Sequence, residues 1–167
     1  TENFSEISFK GFRSYKDTSS ISGGMRLIYT NEKNTFNIKF YDDVYVSDSI
    51  KLPSAYLIPK EFSYLVERLK LHGVIVEELK EDKLIEVTRY KFKNVKLSST
   101  SSEGRQRANF EYDTFTEKVI VPKGTYLLNT NQRTVRVIAH ALEPKSDDSF
   151  VKWGFMNSIF EQKEYAE

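Results

Sequence analysis

The run Leu84-Ile85-Glu86-Val87-Thr88-Arg89-Tyr90-Lys91-Phe92-Lys93-Asn94-Val95-Lys96-Leu97 sets the fold class. On a helix its apolar residues would scatter round the axis, interrupted by Glu86, Arg89, Lys91 and Lys93. In an extended chain β-branched and aromatic residues at near-alternating positions build one half-buried face. A long strand is expected over 84–97. Downstream, Ser98-Ser99-Thr100-Ser101-Ser102-Glu103-Gly104 contains no apolar residue and reads as an exposed tip. Phe110, Tyr112 and Phe115 then lead into a strand over 118–121, and Pro122-Lys123-Gly124 makes a turn. Tyr126–Leu128 and Val135–Ala139 read as two further strands, joined by the polar turn Asn129–Arg133.

Upstream, Lys60–Leu71 carries the clearest helical pattern, with Phe62, Leu65, Val66 and Leu69 opposite Glu61, Glu67, Arg68 and Lys70. His72-Gly73 ends it, since Gly accepts the left-handed position past a helix terminus and an imidazole suits the carbonyl end of the dipole. His72 is therefore read as structural. Pro53 and Pro59 bracket a short buried strand at Ala55–Ile58, and Val74-Ile75-Val76 reads as a strand after the helix, a crossover that permits parallel pairing. Near the N-terminus Phe4, Ile7, Phe9, Phe12 and Tyr15 alternate weakly. Gly23-Gly24 then supplies a hairpin turn, Met25–Thr30 a strand, Asn31–Asn34 a polar turn, and Phe36, Ile38 and Phe40 another strand.

With roughly eight to ten short strand candidates, a mainly β, sandwich-like domain is expected, with one internal α-helix at about 60–72 and a C-terminal helix. Ser146, Asp147 and Asp148 are natural caps for that last helix. The chain is read as one domain, 1–167, with a possible N-terminal hairpin subregion at 1–52. Gly154 either lets a neighbouring backbone approach closely or marks the helix start.

Lys+Arg 25 against Asp+Glu 24 leaves a net charge of +1, so no global field draws in nucleic acid or an anionic membrane. Cysteine is absent, which excludes disulfides and thiolate metal sites. No run approaches the ~18 apolar residues of a membrane span, and no signal peptide is visible.

Catalytic patterns are sparse. His140-Ala141-Leu142-Glu143 has the His-x-x-Glu spacing used in zinc hydrolases, but a third ligand is needed and His72, the other His, already ends a helix. The pair is read as a chance match, leaving no catalytic and no metal residue. Asp42, Asp43 and Asp48 lack the Gly and closing Glu of a calcium loop, and a solvated turn is the simpler reading. Glu77, Glu78, Glu81 and Asp82 are paired carboxylates by spacing only. Two surfaces remain. Trp153, Phe155, Met156 and Phe160 form a broad apolar surface suited to an interdomain contact. Arg105 and Arg107, with Tyr90 and Phe92 as stacking rings, are candidates for a ligand surface.

The C-terminal order Gly124-Thr125-Tyr126, Thr130-Asn131-Gln132, Leu142-Glu143-Pro144, Ser146-Asp147-Asp148-Ser149, Trp153-Gly154-Phe155 and Glu161-Gln162-Lys163-Glu164-Tyr165 resembles a C-terminal accessory region of bacterial zinc-carboxypeptidase-like metallopeptidases, of the carboxypeptidase A-like superfamily. Ala55-Tyr56-Leu57-Ile58-Pro59 and Val66–Val74 fit the same group in the same order. The resemblance implies a non-catalytic accessory domain of a secreted peptidase, cut from a longer polypeptide, with the catalytic peptidase domain as its partner. It places zinc in that catalytic domain, implies no cofactor in this chain, and implies export to the periplasm or beyond. The opening at Thr1 and the stop at Glu167, within what the family continues as helix, agree with a fragment. The alternative is a glycan- or peptide-binding β-sandwich module of an exported protein.

Overall fold

The computed structural model describes residues 3–46 and 49–161. The chain is mainly β, with strands β1 (Ser5–Thr18), β2 (Met25–Phe40), β3 (Ala55–Ile58), β4 (Glu77–Glu78), β5 (Lys83–Leu97), β6 (Ala108–Val121) and β7 (Tyr126–Asn129). Two α-helices, α1 (Ser63–Leu71) and α2 (Val135–Leu142), accompany them. All the strand pairings are antiparallel, in sheets ordered β1-β2, β3-β7-β4 and β5-β6. Backbone contacts divide the chain into two compact units, Thr1–Ile50 and Lys51–Glu167.

The first unit is one long hairpin. Ile7 and Phe9 lie directly across the ladder from Ile38 and Phe36, while Ser8 and Lys10 lie across from Asn37 and Thr35. One face is thus apolar and the other polar, as the two-residue period requires. Gly23, at φ +68°, turns the chain, and its N–H donates to the Ser19 carbonyl at 2.9 Å. The polar turn expected at Asn31–Asn34 is instead part of β2, with a register irregularity between Phe12 and Ser14. A two-stranded ribbon leaves both faces near water, so four polar residues stay in the strand without burying anything. Asp42 and Asp43 are exposed, and Asp48 lies outside the described residues.

In the second unit the core joins Ile58 of β3, Val66 and Leu69 of α1, Val74, Leu128 of β7 and Ile138 of α2. Helices α1 and α2 thus pack against residues of the three-stranded sheet. The apolar stripe of α1 buries Leu65, Val66 and Leu69. Its end is closed by Gly73 at φ +77°, with Gly73 N–H donating to the Lys70 carbonyl and Val74 N–H to the Leu69 carbonyl. These two bonds satisfy carbonyls that the helix itself leaves open. After it, Val74 turns into the core and the strand begins at Glu77 rather than at Val74. Strands β3 and β4 do not pair with each other, because β7 lies between them.

Val135–Ala139 is helix, not strand. Its alternation of Val and Ala coincides with a helical set, Val135, Val137, Ile138, Ala141 and Leu142, and Ile138 is fully buried. Burying such a side chain is worth roughly 1.5–3 kcal/mol, whereas a β-branched residue costs a helix less than ~1 kcal/mol. Packing therefore overrides propensity. The expected C-terminal helix is replaced over 146–156 by successive turns, followed by a 3-10 helix at Asn157–Phe160. Gly154, at φ +71°, cannot continue an α-helix. Residues 162–167, including Glu164 and Tyr165, lie outside the described residues.

Candidate functional site

The long strands β5 and β6 are joined through a tight turn, in which Glu103 (φ +51°) and Gly104 (φ +73°) both take the left-handed conformation and Ser102 pairs with Arg105. Left-handed backbone costs a non-glycine residue on the order of 1–2 kcal/mol, so Glu103 is held there by the hairpin. Near the start of β6, Arg107 and Ala108 meet the Trp153-Gly154-Phe155 segment. Ala108 N–H donates to the Lys152 carbonyl at 2.9 Å, and the Asn157 side-chain amide donates to the Gln106 carbonyl at 3.0 Å. Gly154 backs onto Gln106 so closely that no side chain fits between them.

Trp153 and Phe155 flank that glycine, and Arg105 and Arg107 flank Gln106. The Arg107 guanidinium lies 4.5 Å from the Trp153 ring centre, and that of Arg105 lies 3.8 Å from the Phe155 ring centre. Arg68, from the solvent side of α1, reaches the same Phe155 ring at 4.8 Å. Phe155 is fixed from three sides. Its N–H donates to the Phe150 carbonyl at 2.9 Å, its carbonyl accepts from the Tyr64 hydroxyl at 2.6 Å, and its ring packs edge-on to Phe150 at 5.3 Å. Arg68, Glu103, Arg105, Trp153 and Phe155 line an open depression of about 420 Å³. Among the described residues neither Arg68 nor Arg105 forms an ion pair, while Arg107 donates to the Asp147 carbonyl.

Tyr90 and Phe92 take part in a different cluster. Phe92 packs edge-on against Phe110 at 4.9 Å and Phe160 at 5.5 Å, and Tyr90 against Tyr112 at 5.3 Å. These rings are half-buried against one another, and Phe160 closes over them rather than standing beside Trp153. Met156 is half-buried as well. On the same hairpin, Lys93 is paired with Asp113.

Glu143 is buried, 5% exposed. One of its carboxylate oxygens accepts the Tyr56 hydroxyl and the other the Tyr90 hydroxyl, the latter at 2.9 Å. Burial, followed by the bond to Glu143, raises the pKa of both tyrosines well above the usual phenol value. His140 is exposed, with Nδ1 3.4 Å from the Ser146 hydroxyl. Among the described residues no three His, Asp or Glu side chains converge in a way that would hold a metal ion. Glu143 thus serves as a buried acceptor that ties β3, β5 and the end of α2 together.

The structure joins Arg105 and Arg107 to Trp153 and Phe155, two groups that the sequence presented separately, and divides them from Tyr90 and Phe92. Arg68 and Glu103 enter the site unannounced, one from the polar side of α1 and one from the exposed tip. In the sequence the pairs Arg105/Arg107 and Trp153/Phe155 share only a spacing of two, which does not by itself bring them together.

No protein-family model matches the chain, and no solved structure matches it. Over 102 residues it is 31% identical to Carboxypeptidase 2 of Trichophyton tonsurans, which covers 61% of this chain and 19% of the relative. Carboxypeptidase 2 of Trichophyton rubrum is 31% identical over 104 residues, 62% of this chain and 19% of the relative. Probable carboxypeptidase 2 of Arthroderma benhamiae is 28% identical over 96 residues, 58% and 18% of the two chains. The chain therefore contains a carboxypeptidase-related region and spans about a fifth of the length of these relatives. Among the described residues no helix is long and apolar enough to cross a membrane.

Proposed function

We propose that this chain is a non-catalytic accessory region of a zinc metallocarboxypeptidase of the carboxypeptidase A-like superfamily, serving a catalytic peptidase domain of the same polypeptide. The observation that carries the reading is the match of about three fifths of the chain to less than a fifth of several carboxypeptidases. The local chemistry supports it. Glu143, the acidic half of the His-x-x-Glu pair, has both oxygens engaged by tyrosine hydroxyls within the fold, and His140 stands exposed beside Ser146. Among the described residues no His, Asp or Glu cluster suits a zinc ion, and the reading places zinc in the catalytic domain of the parent. The named relatives are fungal, so the proposal rests on carboxypeptidase character and not on a bacterial source. Export of the parent is proposed with it.

Metal content and release of C-terminal residues from peptides, measured on this chain and on the longer polypeptide side by side, test the reading. Zinc and activity are expected in the longer protein alone. Stoichiometric zinc bound by the chain itself and lost in His140→Ala would overturn it.

A further inference from the structure

We infer that the depression walled by Arg68, Arg105, Trp153 and Phe155 is a binding site for a peptide carboxylate. The inference is independent of the peptidase reading, since it rests on the second unit alone. Two guanidinium groups converge on one phenyl ring, at 3.8 and 4.8 Å from its centre, and neither has a carboxylate partner among the described residues. A ring face takes none of a guanidinium's N–H donors as a hydrogen-bond acceptor would, and those donors can receive a carboxylate through paired bonds. With two guanidinium groups and one carboxylate, Glu103, in its wall, the depression carries a net positive charge that favours an arriving anion. The support is built rather than accidental: Phe155 is fixed by Phe150 and Tyr64, and Gly154 locks its segment onto Gln106.

Glu103 selects among anions. It stands in the wall of the depression, held in a left-handed turn, and its own charge opposes a phosphate dianion more than a singly charged carboxylate. The remaining wall, Trp153 and Phe155, is aromatic and offers area to an apolar neighbour of the anion, so a peptide suits the site better than a free inorganic ion.

Trp153 is the only tryptophan in the chain and lies in the wall, so its emission reports occupancy directly. The full chain is titrated with N-acetyl-Glu-Leu-amide, with N-acetyl-Gln-Leu carrying a free C-terminus, with N-acetyl-Gln-Leu-amide and with inorganic phosphate. A saturable change is expected for one or both of the first two, and which of them binds tells a side-chain carboxylate from a terminal one. Arg105→Gln and Arg68→Gln should each weaken it about tenfold or more, as the loss of a charge-assisted bond implies. Glu103→Gln should tighten it severalfold, a gain that misfolding cannot imitate. The inference is overturned by equal binding of the uncharged peptide, by phosphate binding more tightly than either carboxylate, by no saturable signal, or by arginine variants that retain wild-type affinity.

Discussion

An ideal Cβ placed on Gly154 would stand 2.1 Å from the Gln106 carbonyl oxygen. No carbon atom tolerates that separation, so the Trp153-Gly154-Phe155 segment and the approach to β6 lie together only because residue 154 has no side chain. The contact also sets which side chains meet, since it brings one aromatic and one arginine together on either side of it.

Gly154→Ala should therefore destabilise the protein by on the order of 2–4 kcal/mol, combining left-handed backbone strain with displacement of the Gln106 backbone. Urea unfolding followed by Trp153 emission measures this. A loss below ~0.5 kcal/mol, with unchanged native emission, would mean that the two segments separate at little cost.

The same glycine marks how far the sequence could be read. A close backbone neighbour is one of two readings of it, a helix start being the other, and the identity of the neighbour was not legible, because Gln106 lies 48 residues away in a polar stretch with no periodicity. The long strand β5 and helix α1 were legible because each repeats its own period over enough residues to exclude the alternative, whereas β6 reads as strand only over 118–121 and extends back to Ala108. Val135–Ala139 misled, since a short apolar run satisfies both periods and only the buried position of Ile138 decides between them. Arg68 illustrates a further limit. A charged residue on the polar side of an amphipathic helix carries no mark of what comes to meet it, and its contact with Phe155 exists only once the C-terminal turns fold back.

Glu143→Ala should cost about 2–4 kcal/mol, because it leaves the Tyr56 and Tyr90 hydroxyls without their acceptor in a partly buried place. Tyr56→Phe should cost less, about 1 kcal/mol, since Tyr90 still donates to the carboxylate. The double change Glu143→Ala with Tyr56→Phe should lose less than the sum of the two, and thermal or denaturant unfolding of all three variants gives the coupling directly. Full additivity would mean that the hydroxyl and carboxylate do not act on one another.

Gln132 extends the three-stranded sheet with a side chain. Its Oε1 accepts from the Ile75 N–H at 2.8 Å, and its Nε2 donates to the carbonyls of Asn129 at 2.7 Å and Ile75 at 3.1 Å. Gln132→Ala should cost about 1–2 kcal/mol and speed amide exchange at Ile75 selectively. Gln132→Glu should cost at least as much, because an oxygen would then face two carbonyls. An unchanged exchange rate at Ile75 in Gln132→Ala would show that the side chain does not protect that edge.

Alkaline pH should unfold the protein through the same tyrosine pair. Both hydroxyls have their pKa raised in the folded state, first by burial and then by the bond to Glu143. The folded protein thus retains protons that the unfolded chain, with ordinary tyrosines near ~10, gives up. A raised pKa contributes stability that is fully present below the unfolded value and is lost as pH rises towards the folded one. Stability should accordingly be insensitive to these groups at neutral pH and fall progressively above pH ~10. Tyr56→Phe and Tyr90→Phe should each flatten that fall, although each is less stable at pH 7. Denaturant midpoints measured from neutral to strongly alkaline pH provide the test, and a slope unaltered in both variants would assign the alkaline loss to other groups.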